Sequence, residues 1–591
     1  MNVRKMLKLF LAMAVVSVLL FVTACGGGSD DTAADTGNNA TTETDSGTTD
    51  TTPDTDTNAT VDTDGINRDG ILVFGGSGWA GIFNSIMSNN LYDRYVTDIV
   101  KEGLISNNAA GEPVPKIALS WEISNENRTY TFFMDPRAAF SDGTPVTAHD
   151  VSFTFHTIAH PLYDGPRYNA VQDLLGVEAF TAGEADSVEG IRVIDDHTIE
   201  FTHVNSSPQH IWNFGYGILS EAYYAFGDDW DHFMSLIDRP FGSGQYVFVD
   251  YVFQQWIEFE RNENYWNPDV QINLAGVIMR EVPNESIVPA VIAGEIHIGE
   301  APVNLDNLEA LQAAPNVHPN LFVANTLRQI TFNTLRPQLE DHRVRQALVY
   351  AFDTHAYIVA DTGSPDLRSV GTSPFSPVSW AQPPVGTLNE YEFNMERAHE
   401  LMDEAGWLMA DDGFRYKDGE RMRLEWIIYH EAAWPGIITG LASQTWGELG
   451  VELDIQMMDF ATVNSFTSDL PVGEKQFDIY QMGWSMAIDP DLRGGLWDGS
   501  ESQIHGGSFF NSGWRDERLM ELIERGAEEF DQAERTRIYH EIAEITNYYL
   551  PVWVLSNGRN LWPIATSVHN LENSAFYSWT NALITDTPWI E

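Results

Sequence analysis

The distribution of large apolar side chains divides this chain into three parts. Residues 9–22 form an uncharged apolar run, whereas residues 26–69 hold 11 acidic residues, Arg68 and almost no large apolar side chain. Such a composition cannot bury enough surface to offset the entropy of ordering, so residues 25–69 are predicted to be a disordered acidic tether rich in Thr, Asp and Gly. Residues 70–591 are too many for one core and are expected to form two or three domains.

The first 25 residues have the layout of an export signal. Arg4, Lys5 and Lys8 precede the apolar run, which at about 14 residues is shorter than the ~20 that a membrane-spanning helix needs. The run ends in Val22-Thr23-Ala24-Cys25, which contains the only cysteine of the chain and resembles a bacterial lipobox. Residues 1–24 are therefore predicted to be a lipoprotein signal peptide and Cys25 the lipid attachment site. The body is expected outside the cytoplasm, anchored to the outer face of the cytoplasmic membrane or in a periplasm.

The chain is strongly acidic. It has 86 Asp and Glu against 32 Lys and Arg, a formal net charge of -54. This balance excludes nucleic-acid binding by charge, because phosphate contacts need cations. The acidity extends through residues 70–591, which predicts an acidic folded surface and suggests a saline source, the plain alternative being an acidic exported protein.

Local patterns indicate a mixed α/β body. Residues 130–134 alternate like a strand, residues 142–145 are typical of a turn, and Thr147 with Asp150 forms a capping-box pattern before a helix. Further patterns predict a helix capped by Asp341, a helix with Ala398, Leu401, Met402 and Ala405 on one face, a helix with Ile538, Ile542 and Ile545, and a buried strand at residues 550–555.

Several motifs together resemble one family. They are the stretches 119–124, 128–132 and 140–151, then Gly242-Ser-Gly-Gln-Tyr246, Arg261-Asn-Glu-Asn-Tyr-Trp266, Ala293-Gly-Glu-Ile296, Phe332-Asn333, Asp341-His-Arg-Val-Arg-Gln-Ala347, and Trp484 with Asp489-Pro490. In this order they resemble the family 5 extracellular solute-binding proteins of ABC importers, which include oligopeptide, dipeptide and nickel binders.

The resemblance implies a two-lobed α/β fold, periplasmic-binding-protein-like, type II and cluster C, with an extra subdomain in the first lobe. By analogy, the first lobe comprises residues 70–112, 240–328 and 556–591, the extra subdomain residues 113–239, and the second lobe residues 329–555. The chain would then cross between lobes near Leu327-Arg328 and near Leu555-Ser556. These two crossings are the hinge candidates.

Four aromatic residues are candidate ligand contacts. Trp79 follows a glycine-rich segment after a predicted first strand at residues 71–74, where backbone and an indole face could both approach a ligand. Trp484 corresponds to a cleft tryptophan of the peptide-binding relatives, and Phe460 lies roughly where they place another. Trp497 is a further candidate. The alternatives are a core position for Phe460 and Trp497 and a flexible loop with an incidental tryptophan for Trp79.

One departure from the family leaves the ligand open. The peptide-binding relatives have an aspartate three residues after the cleft tryptophan, where it neutralises the peptide's amino group, and here that position is Ala487. Asp489 is the next acid and is typical of a turn. A buried ammonium without a counter-charge would cost several kcal/mol. Peptides remain the first expectation, with oligosaccharides as the alternative and nickel chelates or other small solutes behind them.

The expected partners are a solute ligand and an ABC permease with its ATPase, and the protein is expected to be a monomer. No catalytic residue, metal site or cofactor is predicted. Residues 75–79 lack the G-x-S-x-G spacing, His430-Glu431 lacks the second histidine of H-E-x-x-H, and the 16 histidines show no metal-site spacing. A secreted hydrolase is the rival class, and a sensor that feeds no transporter is a third.

Overall fold

The computed structural model describes residues 68–467, 470, 472–493, 497 and 512–591. The predicted signal peptide, Cys25 and nearly all of the tether lie outside these residues.

The described residues form a mixed α/β structure. Its strands are β1 (Ile71–Gly76), β2 (Ile105–Asn107), β3 (Pro113–Pro115), β4 (Ala118–Ser124), β5 (Thr129–Met134), β6 (Ile191–Asp195), β7 (Thr198–Thr202), β8 (Tyr246–Val252), β9 (Trp256–Arg261), β10 (Gly276–Glu281), β11 (Ile298–Gly299), β12 (Val317–His318), β13 (Leu321–Phe332), β14 (Ser369–Val370), β15 (Leu408–Met409), β16 (Arg415–Lys417), β17 (Glu420–Arg421), β18 (Arg423–Tyr429), β19 (Glu452–Met458), β20 (Ile479–Ser485), β21 (Val552–Leu561), β22 (Ile564–Ala565), β23 (Val568–His569) and β24 (Trp589–Ile590). Its α-helices are α1 (Leu91–Val100), α2 (Ala148–Ala159), α3 (Val177–Thr181), α4 (Glu221–Tyr224), α5 (Trp230–Met234), α6 (Ile287–Ala293), α7 (Leu305–Ala313), α8 (His342–Tyr350), α9 (Thr354–Thr362), α10 (Met395–Glu404), α11 (Trp434–Glu448), α12 (Phe460–Phe466), α13 (Glu517–Glu528), α14 (Gln532–Tyr549) and α15 (Trp579–Thr585).

The first sheet has seven strands in the order β12-β22-β11-β1-β10-β9-β8. β1 runs parallel to β10 and to β11, and the other neighbours are antiparallel. Helices α1 and α15 cover one face, where Phe74 stacks on Trp579 with 4.5 Å between ring centroids and meets Tyr95 edge to face. The predicted first strand is confirmed and extends to Gly76. The carboxyl ends of β10, β1 and β11 therefore meet at one edge of the sheet.

A four-stranded antiparallel sheet, β4-β5-β7-β6, packs with α2 around a separate core. The predicted strand, turn and helix are confirmed as β5, the following loop and α2. The Asp150 carboxylate accepts hydrogen bonds from the Thr147 amide at 2.8 Å and from the Thr147 hydroxyl at 2.9 Å. This capping interaction fixes where α2 begins.

The second sheet has six strands in the order β14-β21-β13-β20-β18-β19. The predicted helices at Asp341, Ala398 and Ile538 are confirmed as α8, α10 and α14, and the Asp341 carboxylate accepts from the Arg343 amide at 3.0 Å. The strand predicted to begin at residue 550 begins instead at Val552. Leu550, with φ of 46°, closes the end of α14 in the left-handed region and delays the strand.

The chain crosses between the first sheet and the second sheet twice. β12 leads into β13, and β21 leads into β22, so each crossing begins in one sheet and ends in the other. β13 and β21 pair antiparallel, with Arg328 opposite Ser556 and with register shifts beside this pair and before Leu327. The two segments singled out as hinge candidates thus lie side by side in one ladder.

Candidate functional site

A cleft lies between elements of the first sheet and the loop that follows β20. Its main cavity measures about 310 Å³ and is lined by α1, by residues 212–217 and by residues 487–489. A second cavity of about 250 Å³ shares Arg94, Asp98, Asn107, Ile488 and Asn581 with the first. We refer to the two connected cavities as the cleft. Helix α1, which covers the first sheet, and residues of the second sheet and its β20 loop therefore both contribute to its walls.

The loop after β20 forms one wall of the cleft. Trp484 lies near the end of β20 and is partly buried against the core of the second sheet. Asn325 donates hydrogen bonds from its side-chain amide to the carbonyl oxygens of Met486 and Ala487, at 2.9 and 3.0 Å. This anchor holds Ala487, whose side chain is a single methyl group, at the wall of the cleft.

Asp489 lines the same wall but is already paired. Both of its carboxylate oxygens accept from the Arg535 guanidinium at 2.7 Å, and both residues are buried. Arg535 also donates to the carbonyl oxygen of Gly526. A buried bidentate pair of this kind fixes local structure, because breaking it would leave an uncompensated charge. Asp489 therefore holds the loop against α14.

The other aromatic candidates lie apart from the cleft cavities. Trp79 is 6% exposed and packs edge to face against Tyr92, with 6.4 Å between centroids. Phe460, the first residue of α12, is 40% exposed and meets the Tyr429 ring at 5.5 Å. Trp497 is buried in the core of the second sheet. In the described part of the chain, none of these three, nor Trp484, lines the two cavities, and their ligand contacts stay predictions.

Sequence reasoning did not single out the charged residues at the end of α1. Lys101 is 3% exposed, and its Nζ lies 4.7 Å from the centroid of the Tyr224 ring. Burial lowers the pKa of Lys101 to about 7. Beside it, the Glu102 carboxylate accepts from the Trp266 indole at 2.7 Å and pairs with Lys116 at 3.1 Å. No sequence signal marks these contacts, because their partners come from distant segments.

The cleft is bridged at one end. The Ser207 hydroxyl donates to the carbonyl oxygen of Ala527 at 3.0 Å, and Arg493 donates to the Ser207 oxygen at 3.0 Å. Arg493 is itself paired with Asp491 at 2.8 Å. Residue 207 follows the four-stranded sheet, whereas the other three residues belong with the second sheet. The two sides of the cleft are therefore in direct contact in this structure.

Two absences characterise the ranges that the structure describes. No cluster of three or more His, Cys, Asp or Glu side chains there could hold a metal ion. Within the same ranges, no helix combines the length and the apolar character needed to cross a bilayer.

Known proteins with similar sequences and structures point to one family. The family of bacterial extracellular solute-binding proteins, family 5 middle, matches residues 112–503. The chain is similar to di/tripeptide-binding protein 1 of Pseudomonas aeruginosa (strain UCBPP-PA14), with 25% identity over 78% of this chain and 84% of that protein. It is also similar to heme-binding protein A of Haemophilus influenzae, with 26% identity over 78% of this chain and 82% of that protein. The solved structure of the oligopeptide-binding protein AppA from Bacillus subtilis, in complex with a nonapeptide, has a TM-score of 0.70 and 20% identity, covering 88% of this chain and 99% of that chain.

These similarities confirm the predicted two-lobed periplasmic-binding α/β fold and the predicted family. The protein binds solutes and is not an enzyme, as the family implies. The match covers more than half of the chain, and the chain belongs to family 5 of the bacterial extracellular solute-binding proteins of ABC transporters.

Proposed function

We propose that this protein captures an oligopeptide outside the cytoplasm, in the cleft between its two lobes, and delivers it to an ABC permease. The observation that carries the proposal is that α1, from the first lobe, and residues 487–489, from the second, line one cavity of about 310 Å³. Side chains from both lobes can then contact one ligand. A ligand that touches both lobes stabilises the closed form by its differential affinity.

The lobes in this proposal keep the boundaries derived from the family. The first lobe comprises residues 70–112, 240–328 and 556–591, with 113–239 as its extra subdomain, and the second lobe comprises residues 329–555. Closure would bend the paired strands β13 and β21, where the register shifts beside Arg328 already interrupt the regular ladder. A lipid at Cys25 and the acidic tether would keep the body near the permease.

An oligosaccharide is the second candidate ligand. The smaller cleft cavity is lined by the amides of Asn107, Asn560, Asn573 and Asn581 and by aromatic side chains that include Trp562. Neutral amides and ring faces suit a neutral, hydroxyl-rich ligand. This observation favours a sugar as the alternative occupant.

A thermal-shift screen separates the two candidates. A ligand that binds only the native state raises the melting temperature, with about 2.7 kcal/mol of added stability at 100 times its dissociation constant. We expect tri- to hexapeptides to give such a shift and cello- or malto-oligosaccharides to give none. Shifts with the sugars alone would favour the second candidate, and no shift with either set would contradict both.

A further inference from the structure

Two glutamates flank a glycine at the carboxyl edge of the first sheet. Glu281 ends β10 and pairs in register with Gly76, the last residue of β1. On the other side of β1, Gly75 pairs with Gly299, so Glu300 follows at the level of Gly76. Neighbouring residues at one level of a parallel sheet point to the same face, and two strand spacings amount to about 10 Å. The two carboxylates therefore stand on one face with no side chain at the intervening position of β1, toward which the ring of Phe74 from the same strand extends.

An aromatic side chain occupies the space above this glycine. A Cβ atom on Gly76 would lie 3.2 Å from Cε1 of Tyr92, so a larger residue there would crowd the ring. Burial raises the pKa of the Tyr92 phenol to about 12, and the negative charges of Glu300 and Glu281 shift the pKa in the same direction. The Tyr92 ring also meets Trp79 edge to face. We call the group formed by Tyr92, Trp79, Glu281 and Glu300 the acidic edge.

Polar atoms of the acidic edge lack partners. Among the described residues, Oε2 of Glu281 is buried without a hydrogen-bond partner, although the Glu281 carboxylate does accept from the Gly78 backbone. The indole nitrogen of Trp79, a residue only 6% exposed, likewise has no partner there. Glu300 forms no ion pair or hydrogen bond within the described part of the chain, and burial alone raises its pKa to about 7. Unpaired buried carboxylates are costly, since nothing replaces the water that they lose. A bound cation would supply a counter-charge for the two carboxylates, and a hydrogen-bond acceptor beside the cation would receive the Trp79 indole N–H.

The acidic edge adjoins the cleft. The Tyr92 ring meets the Tyr95 ring edge to face, with 6.0 Å between centroids, and Tyr95 lines the smaller cavity. The acids along the cavities have partners: Asp98 lies 3.9 Å from Arg94, Glu102 pairs with Lys116, and Asp489 pairs with Arg535. Among the described residues beside the cleft, the carboxylates without an ion pair are therefore those of the acidic edge.

We infer that the acidic edge binds the free amino terminus of a peptide ligand, with Glu281 and Glu300 as counter-charges and the Trp79 indole donating to the adjoining carbonyl oxygen. The ring of Tyr92 adds a face that attracts cations. Charge-assisted hydrogen bonds to both carboxylates would offset the desolvation of the ammonium. This inference rests on the proposed function and names the ligand group that the first lobe recognises.

The test compares peptides with free and blocked amino termini. The probe is a synthetic set of tri- to hexapeptides without Lys or Arg, each present in equal amounts as the free amine and as an isotope-labelled N-acetyl form. The full-length protein is incubated with the set and separated by gel filtration, and the retained peptides are quantified by mass spectrometry. We expect the free amines to be retained over the acetyl forms by about tenfold or more, as a charged hydrogen bond implies.

Isosteric variants assign the preference to the acidic edge. The double variant Glu281→Gln/Glu300→Gln should retain both forms equally, and each single variant should lose part of the preference. The matched control is Glu295→Gln, an exposed acid between α6 and β11, which should behave as wild type. Circular dichroism verifies that each variant is folded.

The retained peptides show whether the inference fails alone or together with the proposed function. Equal retention of both forms by the wild type would overturn the inference while leaving peptide capture intact. A preference that persists in the double variant would do the same. If the wild type retains no peptide at all, the inference and the proposed peptide function fall together.

Discussion

Glu300 illustrates at the scale of one residue how a binding group can weaken the fold that carries it. Its carboxyl group is partly buried beside β1 and faces no cation among the described residues. A buried charge without a partner costs free energy that packing elsewhere must offset. Residues kept under such a cost are characteristic of functional sites.

The substitution Glu300→Gln should raise the free energy of unfolding at neutral and alkaline pH. The folded-state pKa of about 7 lies above the ordinary glutamate value of 4.5, so the unfolded chain loses this proton first as pH rises. Wild-type stability from this group is thus complete below about pH 4 and is lost as pH rises through 7. The gain of the variant should grow over that range to at most about 3 kcal/mol. Urea unfolding at several pH values measures it, and a variant less stable than wild type at pH 8 would contradict the uncompensated charge.

At the scale of the element, capping hydrogen bonds determine where a helix begins. Asp150 accepts from the backbone and hydroxyl of Thr147 and, through Oδ1, from the amide of Glu221 at 2.9 Å. One carboxylate therefore fixes the start of α2 and joins it to α4. Such a residue contributes more to the free energy of unfolding than its exposed neighbours do.

The substitution Asp150→Ala should lower the free energy of unfolding by about 2 kcal/mol, at the upper end of measured helix caps, because three hydrogen bonds are lost. Asp186→Ala, which removes an exposed carboxylate from the same region, is the matched control and should change stability by less than about 0.5 kcal/mol. Chemical denaturation of both variants measures the difference. Equal effects would show that Asp150 has no special role.

The capping box of Thr147 and Asp150 was predictable because its residues are close in sequence, and the same holds for the cap at Asp341 and the apolar face of α10. The acidic edge was not predictable from the sequence. Glu281 and Glu300 become neighbours of Gly76 only because β10 and β11 both pair with β1, some 200 residues earlier in the chain. Trp79 was identified as a candidate from its glycine-rich segment, and its position beside Tyr92 is set locally, because the Asp93 carboxylate at the start of α1 accepts hydrogen bonds from the amides of Ala80 and Gly81.

At the scale of the whole molecule, the proposed function requires the two lobes to open and close about the paired strands β13 and β21. Ser207, Arg493 and Ala527 link the extra subdomain of the first lobe to the second lobe at one end of the cleft. A contact present only when the lobes meet stabilises the closed form and leaves each lobe unchanged.

The substitution Arg493→Met should shift the ligand-free protein toward the open form, by about 10-fold in the ratio of open to closed molecules if one charged hydrogen bond is lost. Small-angle X-ray scattering should then give a larger radius of gyration. Arg518→Met removes an arginine that pairs with Glu541 between α13 and α14, away from the cleft, and serves as the control. Identical scattering from Arg493→Met and wild type would argue against a closing contact.

The net charge of -54 should make the stability of the whole molecule depend on salt. Raising KCl from about 0.1 M to about 1 M shortens the Debye length from ~10 to ~3 Å, which screens repulsion between surface carboxylates. We therefore expect the melting temperature to rise over this range. A melting temperature that stays constant or falls would contradict adaptation to a saline environment.

The position of β22 has a consequence for biosynthesis. This strand is inserted between β11 and β12, yet it follows both by more than 200 residues and comes after the entire second sheet. A nascent chain that has not yet delivered Ile564 therefore leaves two open strand edges, which are templates for aggregation. The first sheet can therefore be completed only after every strand of the second sheet has been synthesised.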